Sequence, residues 1–288
     1  MLACNHPNSF FDSVILDTLF EQPIWSLARG DVFKKPFYIR LLSALKILPV
    51  YRTSEGVENL SENYKTFDAC IDIFRNNGVI MIFSEGKCIN EWHLRPLKKG
   101  TARLAIKAWE ENIPLQVIPV GINYSSFRRF GKNVFLNFGY PINRKNINFN
   151  YADGIRHQSF NNQLQNQLEQ LVFEIPKQYK DKQKQKELLE IKPLQLKRVL
   201  LAIPACLGYL IHLPLYLPIK KFIWKRTNHN DHYDSVMTGI LIFTYPLYTL
   251  LIIATIGVVT NSWWSIFLLL IFPFTAWAYV QLKPQLDK

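Results

Sequence analysis

The chain reads as an α/β fold, a mixed, mostly parallel sheet flanked by helices, followed by a C-terminal membrane helical region. Three observations carry that reading. Between residues 60 and 173, short runs of strand formers alternate with stretches of helical periodicity, the pattern of a parallel sheet covered on both faces. From residue 199 the composition turns strongly apolar, in segments of about 20 residues or more, the length needed to cross a hydrocarbon core. The total of 288 residues leaves room for one α/β domain and an appendage.

The elements follow in order. Leu2-Ala3-Cys4 is a minimal strand, so short that the chain reads as truncated or started late. No signal peptide is recognisable at its head. Asn8 or Ser9 can cap a helix running from Phe10 to about Phe20, because Phe11, Val14, Ile15 and Leu19 recur at helical spacing. Residues 60–76 have helical periodicity, and 79–83 form an apolar strand that ends at Ser84-Glu85-Gly86-Lys87. A helix over 101–111, strands over 115–122 and 134–138, and a helix over 159–173 complete the domain, with the Asn-rich stretch 143–150 as a loop. Residues 1–176 are thus the α/β domain, 177–198 a basic connector and 199–288 the membrane region.

Within that last region, 236–259 and 263–282 form a transmembrane hairpin around the short uncharged turn Thr260-Asn261-Ser262. The segment 199–219 is different. It has Lys197 and Arg198 on one side, Lys220, Lys221, Lys225 and Arg226 on the other, and is interrupted by Pro204, Pro214 and Pro218. Crossing would put one cationic cluster on the wrong side, so this segment is expected to be re-entrant or interfacial, with both clusters and the tail cytoplasmic. A bacterial inner membrane is the expected setting.

A net charge of +12 without a recognisable nucleic-acid module excludes nucleic acid as the expected partner, and favours anionic membrane lipids and phosphorylated substrates. Cys4, Cys70, Cys88 and Cys206 show no metal-ligand spacing, which fits a reducing compartment. His93, His229 and His232 lack cysteine or carboxylate partners at such spacing and read as loop histidines, so no metal site is expected.

The chemistry concentrates in two places. In Asn5-His6-Pro7-Asn8-Ser9-Phe10-Phe11-Asp12, the histidine precedes a helix start and the aspartate falls in its first turn. A histidine there can take a proton from an alcohol, while the carboxylate fixes its tautomer and steadies the imidazolium. The helix N–H groups could also face an oxyanion. A turn histidine beside a helix-stabilising charge is the plainer alternative. Downstream, Arg95, Lys98 and Lys99 precede Gly100-Thr101 and the helix that follows, an arrangement suited to phosphate, although a solvated basic loop would read the same way.

Together these segments resemble the glycerolipid acyltransferase family. The resemblance rests on four ordered blocks: Asn5-His6 to Asp12; Ala28 to Phe33 with Leu48-Pro49-Val50-Tyr51-Arg52; Phe83-Ser84-Glu85-Gly86 with Leu97 to Ala102; and Val117 to Ile122. It covers about residues 2–141. The family moves a fatty acyl group from a thioester donor onto glycerol 3-phosphate or lysophosphatidic acid. The resemblance implies His6 as general base and Asp12 as its orienting carboxylate. Arg52, Lys87, Lys98 and Lys99 become candidates for holding the acceptor phosphate, with Glu85 and Gly86 organising the loop. No bound cofactor is implied beyond an acyl-coenzyme A or acyl-carrier-protein co-substrate. The chain departs from the family pattern twice. Five residues separate His6 from Asp12 instead of the commoner four, which tilts the acceptor toward glycerol 3-phosphate. Glu85-Gly86-Lys87-Cys88 stands where Glu-Gly-Thr-Arg is usual, so Lys87 or Arg95 would have to replace the missing arginine. The competing reading is a membrane-anchored lipid-binding protein that keeps the shape without the catalysis.

Overall fold

The protein is described by a computed structural model over residues 1–51, 60–175 and 182–286. It divides into two compact units, Met1–Asn123 with Phe135–Tyr179, and Tyr124–Val134 with Lys180–Lys288.

The first unit is built on a six-stranded sheet of order β3-β2-β4-β1-β5-β6. The strands are β1 (Leu2–Cys4), β2 (Ile24–Arg29), β3 (Ile47–Val50), β4 (Val79–Phe83), β5 (Ile118–Tyr124) and β6 (Val134–Phe138). The pairs β1–β4, β1–β5, β2–β3 and β2–β4 are all parallel. The hairpin of β5 and β6 runs antiparallel, with Gly139 N–H donating to Pro119 O and Val117 bridging Ile142. Five strands therefore end on one edge, and functional groups gather there. Although only three residues long, β1 is central and fully buried, with Cys4 in register with Phe83 on one side and Val120 on the other.

The helices of this unit are α1 (Phe10–Asp17), α2 (Pro36–Ala44), α3 (Leu60–Arg75), α4 (Gly100–Glu110) and α5 (Asp153–Leu171). The apolar face of α4 buries Leu104, Ala105, Ala108 and Trp109. Against it α5 presents Phe160, Leu164 and Leu168, one per helical turn, all fully buried. Phe160 meets the Trp109 ring edge-on at 5.9 Å, and the indole N–H is satisfied by Leu115 O at 2.9 Å. This packing fixes the floor of the sheet from which the site loops emerge.

The second unit contains α6 (Lys182–Leu189), α7 (Gln195–Thr227), α8 (Tyr233–Thr260) and α9 (Leu268–Leu282). Three segments in it, Gln195–Thr227, Tyr233–Thr260 and Trp263–Leu282, are long and apolar enough to cross a membrane. The expected interruption at Pro204, Pro214 and Pro218 does not occur, because all three lie inside the single 33-residue helix α7. Neighbouring helices and local adjustments can satisfy the carbonyls that proline frees, so a span tolerates such residues better than a helix in water does. The packing of α7 on α9 also needs a small residue. A Cβ at Gly208 would collide with Thr275 O, and Ala205 and Ala278 are buried beside that crossing. Asn261, in the left-handed conformation at φ 48°, closes α8 before the turn carrying Trp263 and Trp264. At the opposite end of α8, Asp234 forms a buried ion pair with Lys132 from the β5–β6 connection.

Candidate active site

The site grows from the carboxyl ends of β1 and β4. Past Cys4 the ladder is continued by a side chain. Asn5 Nδ2 donates to Ile122 O at 3.0 Å and Ile122 N–H donates to Asn5 Oδ1 at 2.7 Å, so the buried amide stands in for one more backbone pair. This holds the point at which the chain leaves the sheet, and the next residue is His6.

His6 is fixed from four directions. Its Nδ1 lies 2.8 Å from Asp12 Oδ2, and its ring stacks on Phe83 with centroids 3.9 Å apart and 12° between planes. Its backbone N–H donates to Glu85 Oε2 at 2.7 Å, and its carbonyl accepts from Ile89 N–H at 3.2 Å. Asp12 is fully buried in the first turn of α1 and also accepts Asn8 N–H at 2.8 Å. An ionised carboxylate only accepts, so the imidazole proton sits on Nδ1. That leaves Nε2 as a lone-pair acceptor with no partner among the described residues, on a side chain 17% exposed. This is the geometry of a general base.

The expectation that N–H groups at the head of α1 face an oxyanion is corrected at two positions. Asn8 N–H is taken by Asp12, and Ser9 N–H donates to Cys88 Sγ at 2.9 Å. Ser9 itself sits at φ 55°, ψ −140°, a conformation a non-glycine residue adopts only under constraint.

The second block, Ser84 to Lys87, is held against the first. Ser84 N–H donates to Cys4 O at 2.8 Å, extending the β1–β4 ladder, and the Ser84 hydroxyl accepts from Thr101 Oγ1 at 3.0 Å. Buried in that way, Ser84 is a structural hydroxyl. Glu85 is almost fully buried and engaged on both oxygens: Oε2 accepts from His6 N–H and from Arg95 Nη2 at 2.9 Å, and Oε1 accepts from Arg95 N–H at 2.8 Å. Glu85 therefore ties the histidine backbone to the far side of the loop and takes no proton from substrate.

The structure separates the candidate phosphate ligands. Arg95, proposed as a stand-in for the missing arginine, is committed elsewhere. Its guanidinium pairs with Glu85, lies 3.3 Å from Glu91 and also donates to Lys87 O, which makes it a positioning residue instead of an open anion ligand. Lys87 and Lys98 are exposed and make no ion pair among the described residues. Gly86, at φ +69°, makes the turn between them, and a Cβ there would meet Lys98 Cγ at 3.0 Å, so the lysine stem lies across the glycine. Lys98 N–H donates to Ser84 O at 2.8 Å, which fixes its backbone beside the block. Lys99 precedes α4 and lines a groove with His157 and Asn161 of α5 that includes neither His6 nor Asp12. Arg52 lies outside the described residues.

Two site features escape the sequence reading. The Asn5 amide imitates backbone, and no residue pattern announces that. The Glu85–Arg95 pair joins positions ten apart in a loop, where no periodicity links them.

The four cysteines differ in reactivity. Burial pushes the Cys70 thiol up to about 12 and the Cys4 thiol higher still, while Cys88 is half-buried and Cys206 exposed. Iodoacetamide near neutral pH is therefore expected to alkylate Cys88 and to spare Cys4 and Cys70, as well as Cys206 within the apolar helix α7, as read by peptide mass mapping. Because Cys88 touches Ser9 beside His6, its alkylation is also expected to block the site.

Comparison with known proteins finds the following similarities. The Acyltransferase family matches residues 1–123. Glycerol-3-phosphate O-acyltransferase 2 of Saccharomyces cerevisiae is 30% identical over 83 residues, a stretch that is 28% of this chain and 11% of the yeast protein. The crystal structure of the 1-acyl-sn-glycerophosphate acyltransferase PlsC of Thermotoga maritima superposes with a TM-score of 0.38 at 19% identity, over 59% of this chain and 65% of that one. The chain thus spans only a small part of the yeast protein and just under two thirds of the PlsC chain. Residues 1–123, which match the Acyltransferase family, contain the histidine–aspartate pair and the Glu85–Gly86 loop that it meets.

Proposed function

We propose that this protein transfers a fatty acyl group from a coenzyme A or carrier-protein thioester to glycerol 3-phosphate or lysophosphatidic acid, at a membrane held by α7, α8 and α9. The observation that carries the reading is the His6–Asp12 pair, with Nδ1 spent on a buried carboxylate and Nε2 left open. In the reaction, Nε2 takes the proton of the acceptor hydroxyl as its oxygen attacks the thioester carbonyl. The C–O bond forms, the C–S bond breaks, and the imidazolium returns the proton to the departing thiolate. Thiolates leave readily, so no separate acid is needed. No acyl-enzyme is required either, consistent with the burial of Ser84.

Lys87 and Lys98 supply unneutralised positive charge beside the Gly86 turn, where an acceptor phosphate would sit. The competing reading, lipid binding without catalysis, gains from the lysine and cysteine that replace the usual Thr-Arg. It leaves unexplained why a buried carboxylate holds an imidazole with its reactive nitrogen outward. With the catalytic domain cytoplasmic, the cluster at Lys197–Arg198 would face anionic headgroups on that side.

The test is a panel of acceptors presented to the full chain in proteoliposomes with labelled acyl donors. Glycerol 3-phosphate or lysophosphatidic acid is expected to be acylated. Lys87→Ala and Lys98→Ala are each expected to raise KM for the phosphorylated acceptor about tenfold with a smaller change in kcat, the loss of one charge-assisted contact. Unphosphorylated monoacylglycerol should show no such change. Equal KM values for both acceptor classes in all variants would remove the phosphate assignment.

A further inference from the structure

The composition of α2 and its environment disagree. This nine-residue helix, PFYIRLLSA, has no buried residue. Phe37 is 70% exposed, and Tyr38, Ile39, Leu41 and Leu45 are exposed with it. Phe37, Leu41 and Leu45 recur every fourth residue with Tyr38 alongside, so they form one continuous stripe, and exposed Val32 lies in the short 3-10 turn just before it. Single apolar residues on a surface are ordinary, whereas a contiguous stripe marks a contact. A helix this short is also too short to be stable in water on propensity alone.

What the stripe contacts is indicated by its rim. Lys34, Lys35 and Arg40 are exposed and make no ion pair among the described residues. Apolar side chains bordered by cations complement a surface that is greasy beneath and anionic on top, as the headgroup region of an acidic-lipid bilayer is. The same chain carries three segments able to cross a bilayer, so a membrane is tethered to the first unit by the chain itself, which raises its effective concentration there.

We infer that α2, with Val32, is a bilayer-contact face of the first unit, lying in the interface of a membrane that contains anionic lipids. Its place in the topology gives this a consequence. β2 runs parallel to β4 and β4 to β1, so the chain leaves β2 on the sheet edge from which His6 emerges, and α2 begins one 3-10 turn later. β2 lies two strands from β1, roughly 10 Å at the usual strand spacing. Seating the head of α2 in the interface turns the catalytic edge toward the membrane, where a lipid acceptor partitions. The contact goes beyond the acyl-transfer reading and can be measured without any turnover.

The experiment uses the full chain in proteoliposomes, with Cys88 and Cys206 replaced by serine and a nitroxide attached at Phe37→Cys or Leu41→Cys. Tyr140→Cys is the control, since Tyr140 is 86% exposed and follows β6, at the opposite edge of the sheet. Collision with oxygen, which partitions into lipid, is compared with collision with a water-soluble nickel chelate. At positions 37 and 41 oxygen collisions are expected to dominate, and at 140 nickel collisions. Replacing Lys34, Lys35 and Arg40 together by glutamine, or using purely zwitterionic vesicles, should move the ratio at 37 toward that at 140. Nickel access at 37 and 41 equal to that at 140 would overturn the inference. Exclusion of both reagents would overturn it as well, in favour of a protein surface such as a second copy, and a ratio indifferent to charge would remove the anionic lipid.

Discussion

His6→Ala is expected to lower acyl transfer by about 10²–10⁴-fold, the usual contribution of a positioned general base, without loss of fold. The fold should survive because the backbone contacts of His6, to Glu85 and from Ile89, do not involve the imidazole. Asp12→Asn is the more instructive change. The same Asp12 oxygen accepts from both Nδ1 and Asn8 N–H, so an asparagine either keeps a neutral oxygen there and no longer offsets the imidazolium, or turns its NH2 toward Nδ1, which breaks the Asn8 bond and moves the imidazole proton to Nε2. In hydrolytic triads the equivalent change costs about 10⁴-fold, and a loss of similar order is expected here. Because the two residues act as a unit, the double variant should be little worse than the poorer single variant. Steady-state rates in proteoliposomes, with the thermal transition monitored in parallel, check both statements.

The second large effect is at Glu85. Its carboxylate is buried, holds the backbone of His6 and partners a guanidinium that is itself mostly enclosed. Removing one member of a buried pair leaves the other uncompensated, so Glu85→Ala is expected to cost about 3–5 kcal/mol in stability. Arg95→Met should cost less, because Glu85 keeps two backbone N–H donors, those of His6 and Arg95. Combining Glu85→Ala with Arg95→Met should recover part of the loss, and chemical denaturation of the three variants measures it. Glu85→Gln keeps the volume and one acceptor oxygen. It should fold, yet lower kcat by on the order of 100-fold through displacement of His6, with KM for the acceptor little changed. A matched fall in Lys98→Ala would instead assign the effect to the loop as a whole.

Much of this arrangement was legible in the chain, and the reasons differ by element. The strands 79–83 and 134–138 are the runs Val79–Phe83 and Val134–Phe138 of the structure, because their apolar and β-branched residues lie between clear breakers. α3 and α4 fall within a residue of the periodicity that announces them. α5 begins at Asp153, six residues before the expected start at 159. Its opening turn is largely exposed, with Ile155 outward and Arg156 pinned to Glu110 and Asp153, and the spacing of core residues is blind to such a turn. α1 stops at Asp17 instead of reaching Phe20, since the Asp17 carboxylate accepts Ile24 N–H from the next strand. β5 starts at Ile118 and not at Leu115, because Val117 is drawn into an antiparallel bridge with Ile142. β2 and α2 went unread as elements. Ile24–Arg29 shows no clean alternation, and α2 has an apolar stripe with no core to meet. At the site, residue types and order disclosed His6 and Asp12, whereas the division of labour among Arg95, Lys87, Lys98 and Lys99 depends on which cations already have carboxylates, a property of three-dimensional neighbours.

The most direct measurement of the central claim follows a labelled acyl thioester incubated with the full chain in proteoliposomes, with and without glycerol 3-phosphate or lysophosphatidic acid. If His6 works as a base held by Asp12, label appears on the acceptor together with an equal amount of free thiol, little fatty acid is released when the acceptor is omitted, and His6→Ala abolishes the product. Equal label on the acceptor from the His6→Ala protein, or none from the native protein with either acceptor, would contradict it.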